Sequence, residues 1–123
     1  MKKILIVEDE LAYTKLLHDQ LSTKGYEILE AKDGKEGLEI AKREKPNLIL
    51  LDIRMPVMDG MTMLELLRKE EAVKNTKVII LTNLEPDDKI IGKVVKDQPT
   101  YYFVKSNTKL GDLTEKIRDV LSE

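Results

Sequence analysis

Cysteine is absent from the 123 residues, and histidine occurs only once, as His18. The absence of cysteine excludes disulfide bonds, thiolate metal ligands and thiol nucleophiles. A single histidine leaves almost no basis for histidine-dependent catalysis or for a zinc site. Because His18 lies among the charged and polar residues of a helical pattern, we interpret it as a surface residue. Any chemistry must therefore come from other side chains.

The chain also lacks an excess of charge and any long apolar run. Its net charge is −2 and its pI is about 5.6, so no basic surplus favours nucleic acid or anionic lipid. The apolar runs reach only four or five residues, and Met1-Lys2-Lys3 leads directly into a strand pattern. Neither a membrane span nor a signal peptide is predicted. We expect no direct nucleic-acid contact, no membrane contact and a cytoplasmic location.

What the chain does contain is an alternation of short apolar runs and helical patterns. Hydrophobic residues make up 41% of the sequence and charged residues 36%, interleaved as in one compact domain. The strand patterns cover residues 3–7, 26–30, 48–51, 77–81 and 101–104. The second of these alternates polar and apolar residues, as an edge strand does. Five strands alternating with five helices predict a doubly wound parallel sheet with right-handed crossovers.

Several helix details also follow from the sequence. Asp33, three residues before Glu36, predicts a capping box for the second helix, and Asn107 or Thr108 is expected to cap the last one. In the fourth helix Gly92 costs about 1 kcal/mol relative to alanine. The first helix is predicted to bury Tyr13, Leu16, Leu17 and Leu21. The fourth is predicted to have Pro86 in its first turn and an apolar side of Ile90, Ile91, Val94 and Val95.

The strand ends carry the polar side chains that suggest chemistry. Strand three stops at Asp52, and strand one stops at Glu8 and Asp9, while strands four and five end at Thr82 and Lys105. Because parallel strands end at the same edge of a sheet, these side chains can converge. Clustered carboxylates repel one another unless a hard cation such as Mg²⁺ is present. The hydroxyl and the ammonium would then bind another anionic group, which predicts a phosphate next to a metal ion.

Each of these residues also has an ordinary structural explanation. Lys105 could be a simple counter-ion of Asp52, Thr82 could reflect strand propensity, and Glu8 with Asp9 could cap the first helix. The combination of an acid pair, an acid, a hydroxyl and an ammonium at four separate strand ends is what favours the functional interpretation.

Four segments resemble the receiver domain of two-component response regulators. They are Val7-Glu8-Asp9-Glu10, residues 51–60 with the pattern Asp-x-x-Met-Pro-x-x-Asp-Gly, Ile80-Leu81-Thr82 and Tyr102-Phe103-Val104-Lys105. The resemblance extends over the whole chain. It implies a flavodoxin-like α/β fold with five helices and a five-stranded parallel sheet of order 2-1-3-4-5. Residues 1–123 would form one receiver domain, with no effector domain.

The resemblance also implies a role for each site residue. Asp52 would accept a phosphoryl group from a sensor histidine kinase or a histidine phosphotransfer protein. Lys105, the Thr82 hydroxyl and the Ile53 backbone N–H would bind the phosphoryl oxygens. The expected cofactor is Mg²⁺, with Mn²⁺ as a possible substitute, and its ligands would be Glu8 through water, Asp9, Asp52 and the backbone carbonyl of Arg54.

The implied function is a switch rather than an enzyme in the ordinary sense. The same site would slowly hydrolyse its own phosphoaspartate, and Arg54 and Leu84, which flank it, would tune that rate. Thr82 and Tyr102 would act as switch residues that repack the surface of helix four, strand five and helix five. An unidentified protein target would recognise this surface, and the chain would be a monomer or a weak dimer linked to phosphorylation.

Three features depart from the common pattern of the family. Asn83 occupies a position where alanine or glycine is usual, which predicts narrower access for phosphodonors. Ser106 follows Lys105 where proline is usual, so a cis peptide bond is not expected there. Residues 93–100 include Asp97-Gln98-Pro99 in place of a turn rich in small residues, which predicts an unusual output surface.

Two other functions remain open on the sequence alone. A small phosphatase of the haloacid-dehalogenase type would also use a strand-end aspartate with Mg²⁺ and a lysine. That class requires a second acid two residues after the nucleophile, where this chain has Arg54. The other possibility is a non-phosphorylated interaction module in which the acids and Lys105 are a vestigial ion cluster.

Overall fold

The computed structural model describes residues 1–85, 87–97, 99 and 101–122. All five strands are parallel and pair in the order β2-β1-β3-β4-β5, which confirms the predicted sheet and its edge strand β2. A short 3₁₀ helix, Lys105–Asn107, follows β5. The other elements are β1 (Lys3–Val7), α1 (Leu11–Ser22), β2 (Glu27–Ala31), α2 (Gly34–Glu44), β3 (Leu48–Leu51), α3 (Gly60–Lys69), β4 (Lys77–Thr82), α4 (Asp88–Asp97), β5 (Tyr101–Val104) and α5 (Leu110–Leu121).

The sheet separates two apolar clusters, and β3 contributes to both. Leu48 and Leu50 face the cluster formed with α1 and α5, whereas Ile49 and Leu51 face the one formed with α2 and α3. All four side chains are at most 2% exposed. Burial on both faces explains why β3 is an unbroken apolar run. It also places the next residue, Asp52, at the carboxyl edge of the sheet centre.

The buried face of α1 differs from the predicted one. Leu17 and Leu21 are buried as expected, and Tyr13 packs partly against the core, but Leu16 is 47% exposed. Thr14 takes its place in the interior, because residues 14, 17 and 21 fall on one helical stripe. The prediction for Leu16 was therefore wrong. His18 lies at the surface, with 42% of its side chain exposed and its Nδ1 paired with a carboxylate of β2.

The caps of α2 and α5 gave opposite outcomes. The Asp33 carboxylate accepts the N–H of Glu36 at 2.8 Å, which confirms the predicted cap of α2. The prediction for α5 was wrong, because its N-cap position is Lys109, without a side-chain cap. Thr108 instead donates its hydroxyl to the carbonyl of Val104 at 2.9 Å. The 3₁₀ turn after β5 uses the residues that the sequence suggested as caps.

The helix α4 forms where the pattern predicted it, and Ile90 is buried on the side of α2 and α3. The predictions for Pro86 and for the side chains of Ile91, Val94 and Val95 fall outside the described residues. Among the described helices, none is long and apolar enough to cross a membrane.

Candidate functional site

A cavity of about 290 Å³ opens at the carboxyl edge of the sheet, where β1, β3, β4 and β5 end. The register of the strands produces it, since Val7 pairs with Leu51 and Thr82 with Val104. The structure thus brings together the residues that the sequence placed at four strand ends. The lining comprises Glu8, Asp9, Glu10, Asp52, Arg54, Thr82, Asn83, Leu84, Glu85 and Lys105.

Three carboxylates in this cavity could hold a metal ion. Glu8, Asp9 and Asp52 each offer an oxygen, and these oxygens all lie within 4.8 Å of one another. Glu8 and Asp52 are buried, whereas Asp9 is exposed and open to solvent. Oxygen donors at this spacing, one of them accessible, suit a hard divalent cation such as Mg²⁺. The donor set therefore fits the cofactor that the sequence suggested.

Asp52 is held in a fixed orientation by backbone groups. Its Oδ1 accepts the N–H of Ile53 at 2.7 Å, and its own N–H donates to the carbonyl of Val7 at 3.0 Å. Gly60 closes the turn by donating its N–H to the Ile53 carbonyl at 2.8 Å. A Cβ at position 60 would lie 2.0 Å from the carbonyl oxygen of Asp52, so only glycine fits there. This steric requirement was not visible in the sequence, where Asp59-Gly60 indicated only a turn.

Lys105 supplies the buried positive charge of the site. Its ammonium lies 3.4 Å from Asp52 Oδ2, forms a hydrogen bond with Glu8, and its side chain is only 8% exposed. The same Nζ lies 4.3 Å from the centroid of the Tyr13 ring, within the range of a cation–π interaction. From the sequence, Tyr13 is predicted only as part of the apolar stripe of α1. Its partner Lys105 is 92 positions away, so no local signal could have identified the contact.

Lys105 does not cancel the effects of burial and of Asp52 on the pKa of Glu8. Burial and the neighbouring Asp52 raise the pKa of Glu8 to about 7, against the lowering effect of Lys105. Burial acts to lower the pKa of Lys105, but the hydrogen bond with Glu8 and the charge of Asp52 outweigh it and raise that pKa. The negative charge of the site comes from its lining, in which five acidic side chains face only Arg54 and Lys105. A divalent cation would offset this charge.

The ordinary explanations account for only part of this arrangement. Lys105 does pair with Asp52, but its ammonium also bonds to Glu8. Glu8 accepts the N–H of Glu10 at 3.3 Å, yet the N-cap position of α1 is Glu10, which makes no side-chain cap. Glu8 and Asp9 are therefore not the cap of the first helix.

The two predicted switch residues meet at the backbone of Leu84. The N–H of Leu84 donates to the Thr82 hydroxyl at 3.3 Å, and its carbonyl accepts the Tyr102 hydroxyl at 2.6 Å. Thr82 is buried, and Tyr102 is half-buried against the α2 and α3 side. Leu84 is thus a direct backbone link between the site and β5.

The remaining predicted residues line the cavity or lie beside it. Arg54 is exposed at its rim and also borders a second cavity, of about 700 Å³, next to Ile90 of α4. Asn83 is exposed, and its side chain reaches the backbone of Ser106. No cis peptide bond occurs among the described residues, Lys105 and Ser106 included.

Comparison with known proteins identifies relatives along nearly the whole chain. Residues 4–118 match the family described as the response regulator receiver domain. The chain is 44% identical over 121 residues, 98% of its length, to a "Probable transcriptional regulator ycf27" of Porphyridium aerugineum. That alignment covers 48% of the relative, so the chain spans about half the length of this curated protein.

Solved structures agree with the sequence match. A CheY-like receiver domain protein from Methanospirillum hungatei is 31% identical with a TM-score of 0.90, over 99% of this chain and 94% of that one. The BeF₃-activated receiver domain of RstA from Klebsiella pneumoniae is 30% identical with a TM-score of 0.87, over 99% and 100% of the two chains. These similarities confirm the predicted fold.

Proposed function

From the premise that this chain belongs to the response regulator receiver domain family of two-component signalling, we propose that Asp52 is its phosphoacceptor. Members of this family are signalling switches and not classical enzymes. The observation that carries the proposal is the position of Asp52, whose carboxylate lies in one cavity with two further acids and the Lys105 ammonium. Residues 1–123 would act as one receiver unit.

The metal in this proposal is Mg²⁺, which Mn²⁺ could replace. Glu8, Asp9, Asp52 and the backbone carbonyl of Arg54 would hold it, with Glu8 acting through water. When bound, the ion neutralises negative charge on the carboxylates and on the phosphoryl oxygens. The support is the oxygen donor set within 4.8 Å and the surplus of acidic over basic side chains in the lining of the cavity.

In the transfer step an oxygen of Asp52 attacks the phosphorus of a phosphohistidine. The new bond joins this oxygen to phosphorus, the bond between phosphorus and the imidazole nitrogen breaks, and the imidazole leaves with the electron pair. Lys105 and the Thr82 hydroxyl stabilise the phosphoryl oxygens, together with the backbone N–H of Ile53. The chain contributes positioning and charge compensation, as is usual for phosphoryl transfer. The donor would be a sensor histidine kinase or a histidine phosphotransfer protein.

The reset step is hydrolysis of the phosphoaspartate at the same site. Water attacks phosphorus, the bond to the Asp52 oxygen breaks, and inorganic phosphate leaves the regenerated carboxylate. Arg54 and Leu84 both line the cavity, so we propose that their identity sets this rate. Autodephosphorylation of Arg54→Asn and Leu84→Ala, followed by intact mass, should differ from the parent. Equal rates in all three proteins would contradict the proposal.

The output would be a shift of the surface formed by α4, β5 and α5. A phosphoryl group on Asp52 would draw the Thr82 hydroxyl towards it, and the backbone of Leu84 would transmit the change to Tyr102. An unidentified cytoplasmic protein would recognise this surface. A monomer, or a weak dimer that forms on phosphorylation, fits such a role.

The decisive experiment is incubation with Mg²⁺ and acetyl phosphate, followed by intact-mass measurement. The parent should gain the mass of one phosphoryl group, and Asp52→Asn should not. Asp19→Asn is the matched control, because Asp19 is an exposed residue of α1 that pairs with Lys15 and does not line the cavity. An unmodified parent would reject the proposal. Turnover of a phosphomonoester would instead support the phosphatase alternative, and failure to bind Mg²⁺ would support the vestigial ion cluster.

A further inference from the structure

One hydrogen bond joins the two loops that carry the phosphoryl-binding side chains. The backbone N–H of Ser106 donates to the side-chain Oδ1 of Asn83 at 3.0 Å, across 23 positions of sequence. Asn83 directly follows Thr82 at the end of β4, and Ser106 directly follows Lys105 after β5. The bond therefore connects the neighbours of the two residues that would bind the phosphoryl oxygens.

The bond lies just beyond the point where the sheet stops holding these loops together. The last paired positions of β4 and β5 are Thr82 and Val104, and the chain after Val104 turns into the 3₁₀ helix. Within that turn, Thr108 donates its N–H to Lys105 at 3.3 Å and its hydroxyl to Val104 at 2.9 Å. Those bonds fix the turn to its own strand. The bond to Asn83 joins the turn to the end of β4.

The hydrogen bond requires a side-chain acceptor at position 83 and a backbone N–H at position 106. An alanine or glycine at position 83 would have no side-chain acceptor, and a proline at position 106 would have no N–H to donate. The two departures noted in the sequence are therefore partners in one contact. Because Asn83 is also a lining residue of the cavity, a change in its position reaches the site directly.

We infer that Asn83 is a positioning residue, which acts through Ser106 to hold the Lys105 ammonium at a fixed distance from the Thr82 hydroxyl. This inference rests on the proposed phosphorylation of Asp52 and deepens it. Positioning increases the rate of transfer, because reacting groups that are already in place need no reordering. A positioning role predicts that a smaller residue at position 83 slows phosphorylation. If Asn83 instead only narrowed the access of phosphodonors to the site, a smaller residue would speed phosphorylation.

The test compares the rate of phosphorylation of Asn83→Ala with the parent over a range of acetyl phosphate concentrations, with saturating Mg²⁺. We expect the rate at saturating donor to fall about fivefold, the factor that corresponds to one lost hydrogen bond of about 1 kcal/mol. The donor concentration for half-maximal rate and the Mg²⁺ affinity should change little, and the unfolding free energy should fall by at most about 1 kcal/mol. Amide exchange at Ser106 should become faster. A merely structural role would not lower the saturated rate selectively.

Two variants of Ser106 complete the design. Ser106→Ala keeps the N–H and should phosphorylate at the parental rate. Ser106→Pro removes the bond from the donor side, so Asn83→Ala combined with Ser106→Pro should be no slower than the slower single variant.

Three outcomes would overturn the inference: a parental or raised saturated rate in Asn83→Ala, a slow Ser106→Ala, or additive losses in the double variant. They are distinct from failure of the proposed function, in which the parent itself would remain unphosphorylated.

Discussion

The hydroxyl of Tyr102 donates a 2.6 Å hydrogen bond to the backbone carbonyl of Leu84, the residue whose N–H bonds to the Thr82 hydroxyl. Two side chains on neighbouring strands are thereby joined through a single backbone unit. A displacement of Thr82 would move the N–H of Leu84, and its effect would reach Tyr102 through these two hydrogen bonds. These two hydrogen bonds through Leu84 form a structural element that phosphorylation could shift from one arrangement to another.

Removal of the Tyr102 hydroxyl should uncouple β5 from Thr82, because it breaks the hydrogen bond to Leu84. We expect Tyr102→Phe to lose about 1 kcal/mol of unfolding free energy, because the ring remains and one hydrogen bond disappears. Its phosphorylation rate should stay near the parental value, while the change in amide exchange over α4 and β5 on phosphorylation should shrink. Tyr101→Phe is the matched control, since its ring stacks near Phe103 on the opposite face of the sheet. An undiminished exchange response in Tyr102→Phe would contradict this coupling.

The Tyr13 ring should contribute to the position of Lys105. The ammonium lies 4.3 Å from the ring centroid in a largely buried setting, where a cation–π interaction is worth about 0.5 to 2 kcal/mol. We expect Tyr13→Leu to phosphorylate about two- to thirtyfold more slowly than the parent. Tyr13→Phe preserves the aromatic face and should remain close to the parental rate. If Phe and Leu slow the reaction equally, the hydroxyl or the packing is responsible and the cation–π explanation fails.

Most of the fold could be predicted from the sequence, because each strand of the sheet corresponds to a short local run of apolar residues. The run from Leu48 to Leu51 is apolar at every position, which occurs when both faces of a strand are buried. The strand ends then gave the site, since parallel strands share one edge. The prediction that Leu16 of α1 is buried was wrong, because it rested only on the hydrophobicity of that side chain. The position of the helix on the sheet determines burial, and it brought Thr14 inside.

What the sequence could not show are contacts between distant residues. Tyr13 meets Lys105, and Asn83 meets Ser106, only after the strands are aligned. The predicted cap of α5 was wrong for a related reason. The Thr108 hydroxyl donates to the carbonyl of Val104, next to the 3₁₀ turn, and does not bond to the first turn of α5. Such competition between local partners is decided by geometry and not by residue type.

The raised pKa of Glu8 makes the stability of the metal-free protein depend on pH. The pKa is about 7 in the folded state and 4.5 as the ordinary value, so the folded protein retains a proton that the unfolded chain releases. The stabilisation is complete below pH 4.5 and is lost as the pH rises through 7. We expect a loss on the order of 3 kcal/mol across this range. The raised pKa of Lys105 changes the stability with pH only above pH 10.5, the ordinary pKa of a lysine.

Urea unfolding at several pH values without metal checks this expectation. Glu8→Gln should flatten the profile, whereas Glu39→Gln, at an exposed position of α2, should leave it unchanged. Added Mg²⁺ should stabilise the parent more at pH 8 than at pH 6, because the ion binds the deprotonated carboxylate. A parental profile in Glu8→Gln would show that another group titrates.

Gly60 sets the position of Asp52 through the absence of a side chain. A Cβ there would lie 2.0 Å from the Asp52 carbonyl oxygen and 3.0 Å from the Ile53 Cα, and these backbone atoms cannot rotate away. Gly60→Ala should therefore lose about 1 to 3 kcal/mol of unfolding free energy and weaken Mg²⁺ binding, because the backbone that carries Asp52 must shift. Urea unfolding and metal titration measure the two effects. Gly92→Ala is the control with the opposite sign. Among the residues that the structure describes, no atom outside its own stretch of helix lies within 4 Å of a Cβ at position 92, so alanine should stabilise α4 by about 0.5 to 1 kcal/mol. Equal effects at both glycines would mean that backbone freedom, and not the close approach to Asp52, is what position 60 requires.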